Sequence, residues 1–116
     1  MFKKAGLVAV IALVAGLPIE AQYKPRPVMG RVTDKRGNTL SGAVVQLENT
    51  RNLAVRSYIT RKDGRYDFNG LKDDVDYTLR ARYRNYRSRP KTLSKFNSSP
   101  RPEVDLVIPE SRGRTP

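Results

Sequence analysis

Arginine and lysine are the side chains whose number and spacing say most about what this chain does. From Tyr77 to Pro102 there are eight basic residues and no acidic ones. We call six of them the basic stripe: Arg80, Arg82, Arg84, Arg87, Arg89 and Lys91. The first three alternate with other residues, which would place them on one face of a strand, and the other three would continue the patch opposite them. Because guanidinium groups pair with sulfate, phosphate and carboxylate, the stripe is either a surface for polyanions or a solvating face.

Two further groups of residues could contact a ligand. Tyr86 follows a turn at Asn85, and its ring is a candidate platform for a sugar. Tyr83 falls on the core-facing register of the preceding strand, so we expect it to pack inside. Three aspartates, Asp73, Asp74 and Asp76, could supply oxygen ligands to calcium. Their spacing lacks the glycine and the terminal glutamate of an EF-hand, which favours a solvated turn.

The composition excludes several classes of chemistry. The sequence contains no His, no Cys and no Trp, and its formal net charge is +12. Without His or Cys there is no common zinc, haem or iron–sulfur site, no imidazole base and no thiol nucleophile. The sequence therefore predicts a protein that is not an enzyme, with no catalytic residues, no metal and no cofactor.

The N-terminus has the organisation of a secretory signal peptide. Lys3 and Lys4 precede an apolar run from Ala5 to Leu17, which is shorter than the ~20 residues needed to span a bilayer. We expect cleavage after Ala21, which removes two lysines and one glutamate and leaves a net charge of +11. The expected organisation is a signal peptide over 1–21, a proline-rich lead-in over 22–27, one domain over 28–108 and a disordered tail over 109–116.

The remaining chain alternates with the period of β-strands and has no helical periodicity. Val45 and Leu47 point one way while Gln46 and Glu48 point the other, and similar alternation recurs along the chain. Asp63-Gly64 predicts a hairpin turn, and Pro90 predicts an edge or broken strand. About seven short strands separated by turn signals indicate an antiparallel β-sandwich.

Two segments resemble the carboxypeptidase regulatory-like domain family. The first has the form G-x-V-x-D-x-x-G-x-x-L-x-G-A-x-V-x-L and runs from Gly30 to Leu47. The second comprises Asp63-Gly64-Arg65-Tyr66-Asp67-Phe68, Leu71 and Tyr77-Thr78-Leu79. The resemblance implies an all-β, seven-stranded antiparallel Greek-key sandwich of the transthyretin or prealbumin type, also described as a carbohydrate-binding-like fold.

The chain departs from the family pattern at three places. Arg61 stands where the family usually has Asp, the loop from Lys72 to Asp76 is one residue longer, and Asn85-Tyr86 replaces Gly-Tyr. Asn adopts the left-handed conformation more readily than most residues, so we expect the turn at Asn85 to be retained. The other two changes affect loops.

These features predict a non-catalytic, secreted or periplasmic accessory module. Its expected ligand is a saccharide, an anionic glycan or an envelope protein. The alternatives are a purely structural sandwich that docks onto a larger assembly, and polyanion binding through the basic stripe. We expect no physiological binding of nucleic acid, no membrane span after cleavage, and a monomer.

Overall fold

The computed structural model describes residues 25–109, which form two packed β-sheets. The expected signal peptide and the tail beyond Pro109 lie outside the described residues. The strands are β1 (Arg26–Asp34), β2 (Val44–Asn49), β3 (Val55–Ile59), β4 (Arg65–Leu71), β5 (Tyr77–Tyr83), β6 (Tyr86–Arg87), β7 (Lys91–Leu93) and β8 (Leu106–Ile108). The all-β sandwich is thus confirmed, with eight short strands where seven were expected.

The two sheets differ in size and in their edges. The larger sheet has the order β3-β2-β5-β6, and β7 also pairs with β5. The smaller sheet has the order β4-β1-β8. Strands β2 to β7 make only antiparallel pairs, whereas β1 pairs antiparallel with β4 and parallel with β8, so the purely antiparallel arrangement was wrong at this one pair.

The turn at Asp63-Gly64 forms, but it does not close a hairpin. Gly64 has φ +74°, as the turn signal predicted. However, β3 and β4 lie in different sheets, so the turn carries the chain across the sandwich. The reason is the packing of Gly64, whose carbonyl accepts a hydrogen bond from the Val32 amide at 2.9 Å. That contact draws the start of β4 onto β1 instead of β3.

The core lies between the inner faces of the sheets, where the alternating residues point. Val45 and Leu79 are fully buried, and Leu47 is 1% exposed. From the smaller sheet, Val32 and Leu106 are also fully buried. Each such side chain contributes roughly 1.5–3 kcal/mol by leaving water. A chain without disulfides depends on this apolar core for its stability.

The first strand begins earlier than expected, because Arg26 is part of the packed structure. Its guanidinium donates hydrogen bonds to the carbonyls of Val75, Ser94 and Asn97 at 3.1, 3.2 and 3.4 Å. Two loops are thereby fastened to the start of β1. The lead-in that was expected to extend through Pro27 therefore ends before Arg26.

Candidate binding surface

The outer face of the larger sheet carries the first two arginines of the basic stripe. Arg80 and Arg82 are exposed on β5 and stand opposite Gln46 and Val44 of β2. Their neighbours Leu79 and Ala81 are buried, which fixes the outward direction of the arginines. The Cα atoms of two such residues lie about 6.5–7 Å apart along a strand. The alternation therefore places these two cations as predicted.

Arg84 does not share that face, so the prediction was wrong for this residue. β5 ends at Tyr83, and Tyr83 pairs directly with Tyr86 across a two-residue turn. Arg84 lies in the turn with φ +57°, a conformation that had been expected at Asn85. Its guanidinium carbon is 5.1 Å from the centre of the Tyr83 ring, so it stacks at the end of the sandwich.

The Arg87 side chain lies on the same outer face as Arg82 and lines two depressions. It pairs with Arg82 across the β5–β6 ladder, so two like charges stand directly opposite. One depression beside it is lined by Gln46, Arg80 and Arg82. A second, of about 230 Å³, lies at the sheet edge and is lined by Lys35, Arg87, Arg89, Lys91, Val107 and Pro109. Arg87 lines both, which makes the positive surface continuous from the face to the edge.

We call this set of six cations the basic surface: Lys35, Arg80, Arg82, Arg87, Arg89 and Lys91. Within residues 25–109, none of the six forms an ion pair. The ion pairs present there join Arg51 to Asp74, Arg61 to Asp67 and Arg65 to Asp63. Three aspartates thus pair with arginines elsewhere. No acidic residue lines the two depressions of the basic surface, although Glu48 lines a neighbouring depression together with Arg80.

Lys35 is the member of the basic surface that sequence reasoning missed. It lies in the turn after β1, which is held by the carboxylate of Asp34. That carboxylate accepts hydrogen bonds from the Arg36 and Asn38 amides at 2.9 Å each. The parallel β1–β8 pair brings this turn beside Val107 and hence beside Arg89. No local pattern signals that neighbourhood, because it follows from the pairing of distant strands.

Tyr86 lies apart from the outer face. Its ring is half-buried, packs against the core and lines a small depression with Asp34, Leu40, Tyr83 and Arg84. Tyr83 packs against the same core, as its register suggested. The depression is at the end of the sandwich, so the two tyrosines and Arg84 form a separate group from the basic surface.

The acidic loop is used in local hydrogen bonding. The Asp76 carboxylate accepts a hydrogen bond from the Lys95 amide at 2.6 Å, and its carbonyl accepts one from the Thr50 hydroxyl at 2.7 Å. Asp74 pairs with Arg51. Within the described part of the chain, no group of three or more His, Cys, Asp or Glu residues is arranged to hold a metal ion. Residues 25–109 also include no helix long and apolar enough to cross a membrane.

The fold and the surface together define a small β-sandwich module with a basic face. The model of the carboxypeptidase regulatory-like domain matches residues 27–107, and the chain belongs to that family. No curated protein sequence matches the chain.

Solved structures share the fold at low sequence identity. A double mutant of the shaft pilin SpaA from Lactobacillus rhamnosus GG has a TM-score of 0.60 and 16% identity, over 80% of this chain and 48% of that one. The C-terminal domain of that pilin has a TM-score of 0.55 and 13% identity, over 76% and 99% of the two chains. Chlorocatechol 1,2-dioxygenase from Pseudomonas putida has a TM-score of 0.55 and 12% identity, over 76% and 61%. The chain spans about half of the whole pilin and three fifths of the dioxygenase, so it shares one domain-sized fold with each.

Proposed function

We propose that the chain is an exported, non-catalytic module that binds an anionic polysaccharide through the basic surface. The observation that carries the proposal is a continuous row of six cations from the sheet face to the edge groove, joined at Arg87, none of which forms an ion pair within residues 25–109. Like charges placed opposite each other, as Arg82 and Arg87 are, destabilise a strand pair. A polyanion bound across both side chains removes that repulsion.

The shape of the surface suits an extended polymer. Its two depressions are only partly enclosed and share Arg87, whereas small-molecule sites enclose most of their ligand. The Cα atoms of Arg80 and Arg82 are about 6.5–7 Å apart along the strand, so the two side chains can contact successive acidic groups of one polymer. Arginine provides paired hydrogen-bond donors for each sulfate or carboxylate.

The absence of catalysis rests on the chemistry of the side chains. The sequence has no His and no Cys, and the basic surface contains no carboxylate pair for glycoside hydrolysis. The dioxygenase shares the fold but is larger than this chain. The family is described as regulatory-like, which agrees with an accessory role.

Export favours a polysaccharide over nucleic acid as the polyanion. Lys3 and Lys4 followed by the apolar run Ala5 to Leu17 indicate a signal peptide, and one protein whose fold this chain shares is a shaft pilin. An envelope or extracellular glycan is therefore the polyanion that the module meets.

The test is retention of the mature chain on immobilised heparin over a sodium chloride gradient. The parent should be retained at low salt and should elute as salt rises. Binding a polyanion releases several counterions, so the affinity falls steeply with salt concentration. Changing Arg80, Arg82 and Arg87 together to Gln should move elution to much lower salt. Arg84→Gln alone should change it little, because Arg84 stacks on Tyr83 away from the basic surface.

A second triple variant provides the matched control. Lys62, Lys72 and Arg101 are exposed and lie outside the basic surface, and changing them to Gln removes the same total charge. This control should elute close to the parent. If the two triple variants elute together, retention depends on net charge alone and the proposed site is wrong.

A further inference from the structure

Strand β3 forms a free edge of the larger sheet, and its unpaired backbone groups can be identified. The Thr60 amide donates to the Ala43 carbonyl and the Asn49 amide donates to the Ala54 carbonyl, both at 2.9 Å. Because hydrogen-bonded and non-hydrogen-bonded positions alternate in antiparallel pairs, Arg56 and Tyr58 also direct their N–H and C=O groups to β2. The backbone groups of the odd-numbered residues of β3, from 55 to 59, therefore point away from the sheet.

The same odd-numbered positions expose apolar side chains. Val55 is 53% exposed and Ile59 is 66% exposed, on either side of the exposed Ser57. Leu53, just before the strand, is 66% exposed. These are three of the five large apolar side chains that residues 25–109 expose. An edge with free backbone groups and apolar side chains is a template for another strand.

The other sheet edges carry features that prevent strand addition. The edge at β6 and β7 presents Arg87, Arg89, Pro90 and Lys91, and charge and proline both block pairing. The β8 edge is only three residues long. The β4 edge includes Gly70 at φ +75°, which bends it. Among the described strands, β3 alone keeps an open and apolar edge.

We propose that a second copy of the chain pairs with this edge, β3 against β3 in antiparallel register centred on Ser57. The sequence Val55-Arg56-Ser57-Tyr58-Ile59 is self-complementary in that register. Val55 stands opposite Ile59 of the second copy, Arg56 opposite its Tyr58, and Ser57 opposite its Ser57. The three outward-directed residues of each copy meet, which allows about six hydrogen bonds between the main chains.

The register also places no like charges opposite each other. Each Arg56 stands opposite a neutral tyrosine, and its guanidinium is held within its own chain, 5.5 Å from the centre of the Phe68 ring and donating to the Asn69 carbonyl at 3.0 Å. Both copies are basic, so their long-range repulsion opposes association and is screened by salt. Salt should therefore promote the dimer, whereas it weakens a polyanion complex. This inference departs from the monomer expected from the sequence, and it does not rest on the proposed function.

Dimerisation would join the two larger sheets into one continuous sheet. Strands β5 of the two copies would then be five strand spacings apart, or about 24 Å. Arg80 and Arg82 of both copies would lie on the same outer face. If the proposed function holds as well, one polymer can contact both copies, and the second contact is intramolecular.

A cysteine at position 57 tests the register directly, because the natural sequence contains none. The Cα atoms of a hydrogen-bonded antiparallel pair are about 5.5 Å apart, within the range of about 4.4–6.8 Å for a disulfide. In the proposed dimer, residue 57 meets its own copy, whereas two residues 55 are about 14 Å apart along the strands. Ser57→Cys should form a disulfide-linked dimer under mild oxidation at micromolar concentration, and faster at higher salt. Val55→Cys should crosslink at least tenfold more slowly.

Sedimentation of unmodified chains, without any polyanion, provides the second measurement. Ser57→Pro removes an amide that points away from β2, so the monomer should keep its circular dichroism spectrum while the dimer is lost. Phe96→Lys is the control, because Phe96 is 83% exposed but far from β3 in the sequence, and it should leave the dimer intact. Equal crosslinking of the two cysteine variants, or a parent that sediments as a monomer at high salt and high concentration, would overturn the proposal.

Discussion

At the scale of single residues, Asp34 shows how one carboxylate can organise a turn. The side-chain amide of Asn38 donates to it at 3.1 Å, and the backbone amides of Asn38 and Arg36 donate at 2.9 Å. These hydrogen bonds, that of the Asn38 side chain first, hold the pKa of Asp34 below its ordinary value of 3.8. The turn that presents Lys35 is therefore best formed when Asp34 is ionised.

The pH dependence of this turn gives a first prediction at that scale. Because the pKa is lowered in the folded chain, the contribution of Asp34 to stability is complete above about pH 4 and is lost as pH falls through the folded pKa. The amide protons of Arg36 and Asn38 should shift together in an NMR titration, with a midpoint below 3.8. A midpoint at or above 3.8 would show that these hydrogen bonds do not favour the charged form.

The residues of the basic stripe show which parts of the site were predictable. Arg80 and Arg82 were placed by alternation, since their neighbours are apolar and buried. Arg84 continues the alternation in the sequence but not in space, because it adopts the left-handed conformation of the turn that was expected at Asn85. Lys35 joins the site only through tertiary pairing, which a local pattern does not encode.

At the scale of elements, Gly30 explains why one strand tolerates no side chain at its centre. A Cβ atom there would lie 1.8 Å from the Val104 carbonyl oxygen and 2.9 Å from the Tyr66 ring. The Tyr66 hydroxyl donates to the same Val104 carbonyl, and burial raises the pKa of this tyrosine. β1, β4 and the segment before β8 are thus joined at one point of close backbone approach.

Replacement of this glycine provides a prediction for the smaller sheet. Gly30→Ala should lower the free energy of unfolding by about 2 kcal/mol or more, because the backbone at Val104 must move. Gly37→Ala is the control. Gly37 has φ +92° and no atom near its Cβ position, so only backbone strain of about 1–2 kcal/mol is expected. Denaturant unfolding measures both, and a smaller loss at Gly30 than at Gly37 would contradict the close packing.

The elements themselves were predictable where burial follows a period of two. Val45, Leu47 and Leu79 are buried as expected, and Pro90 separates β6 from β7. The prediction of a hairpin at Asp63-Gly64 was wrong, and so was the expected antiparallel direction of β8. Turn residues specify a local reversal of the chain, but which sheet receives the next strand depends on distant contacts such as that between Gly64 and Val32.

At the scale of the whole molecule, the dominant feature is excess positive charge. The chain carries 23 basic and 11 acidic residues, and the described ion pairs are exposed. Exposed pairs contribute little, typically less than about 1 kcal/mol. Repulsion summed over the surface therefore outweighs them and favours a more expanded chain.

Salt should accordingly stabilise the folded chain. Raising sodium chloride from low to moderate concentration should raise Tm by a few degrees in dilute solution, because screening reduces repulsion more than it weakens the ion pairs. The variant with Arg80, Arg82 and Arg87 changed to Gln should start with an equal or higher Tm and should respond less to salt. Differential scanning calorimetry measures both effects. A Tm that falls with salt would mean that the ion pairs dominate.

The parallel pairing of β1 with β8 also sets the order in which the molecule can be completed. The Arg31 amide donates to the Asp105 carboxylate, which is 74 residues further along the chain. During synthesis β1 emerges long before the strand that it needs, and contacts between such distant segments form slowly. Until β8 has been synthesised, β1 has no partner on that side of the smaller sheet, and Val32 has not yet paired with Leu106. The smaller sheet of a nascent chain therefore stays incomplete until nearly all of the domain has been made.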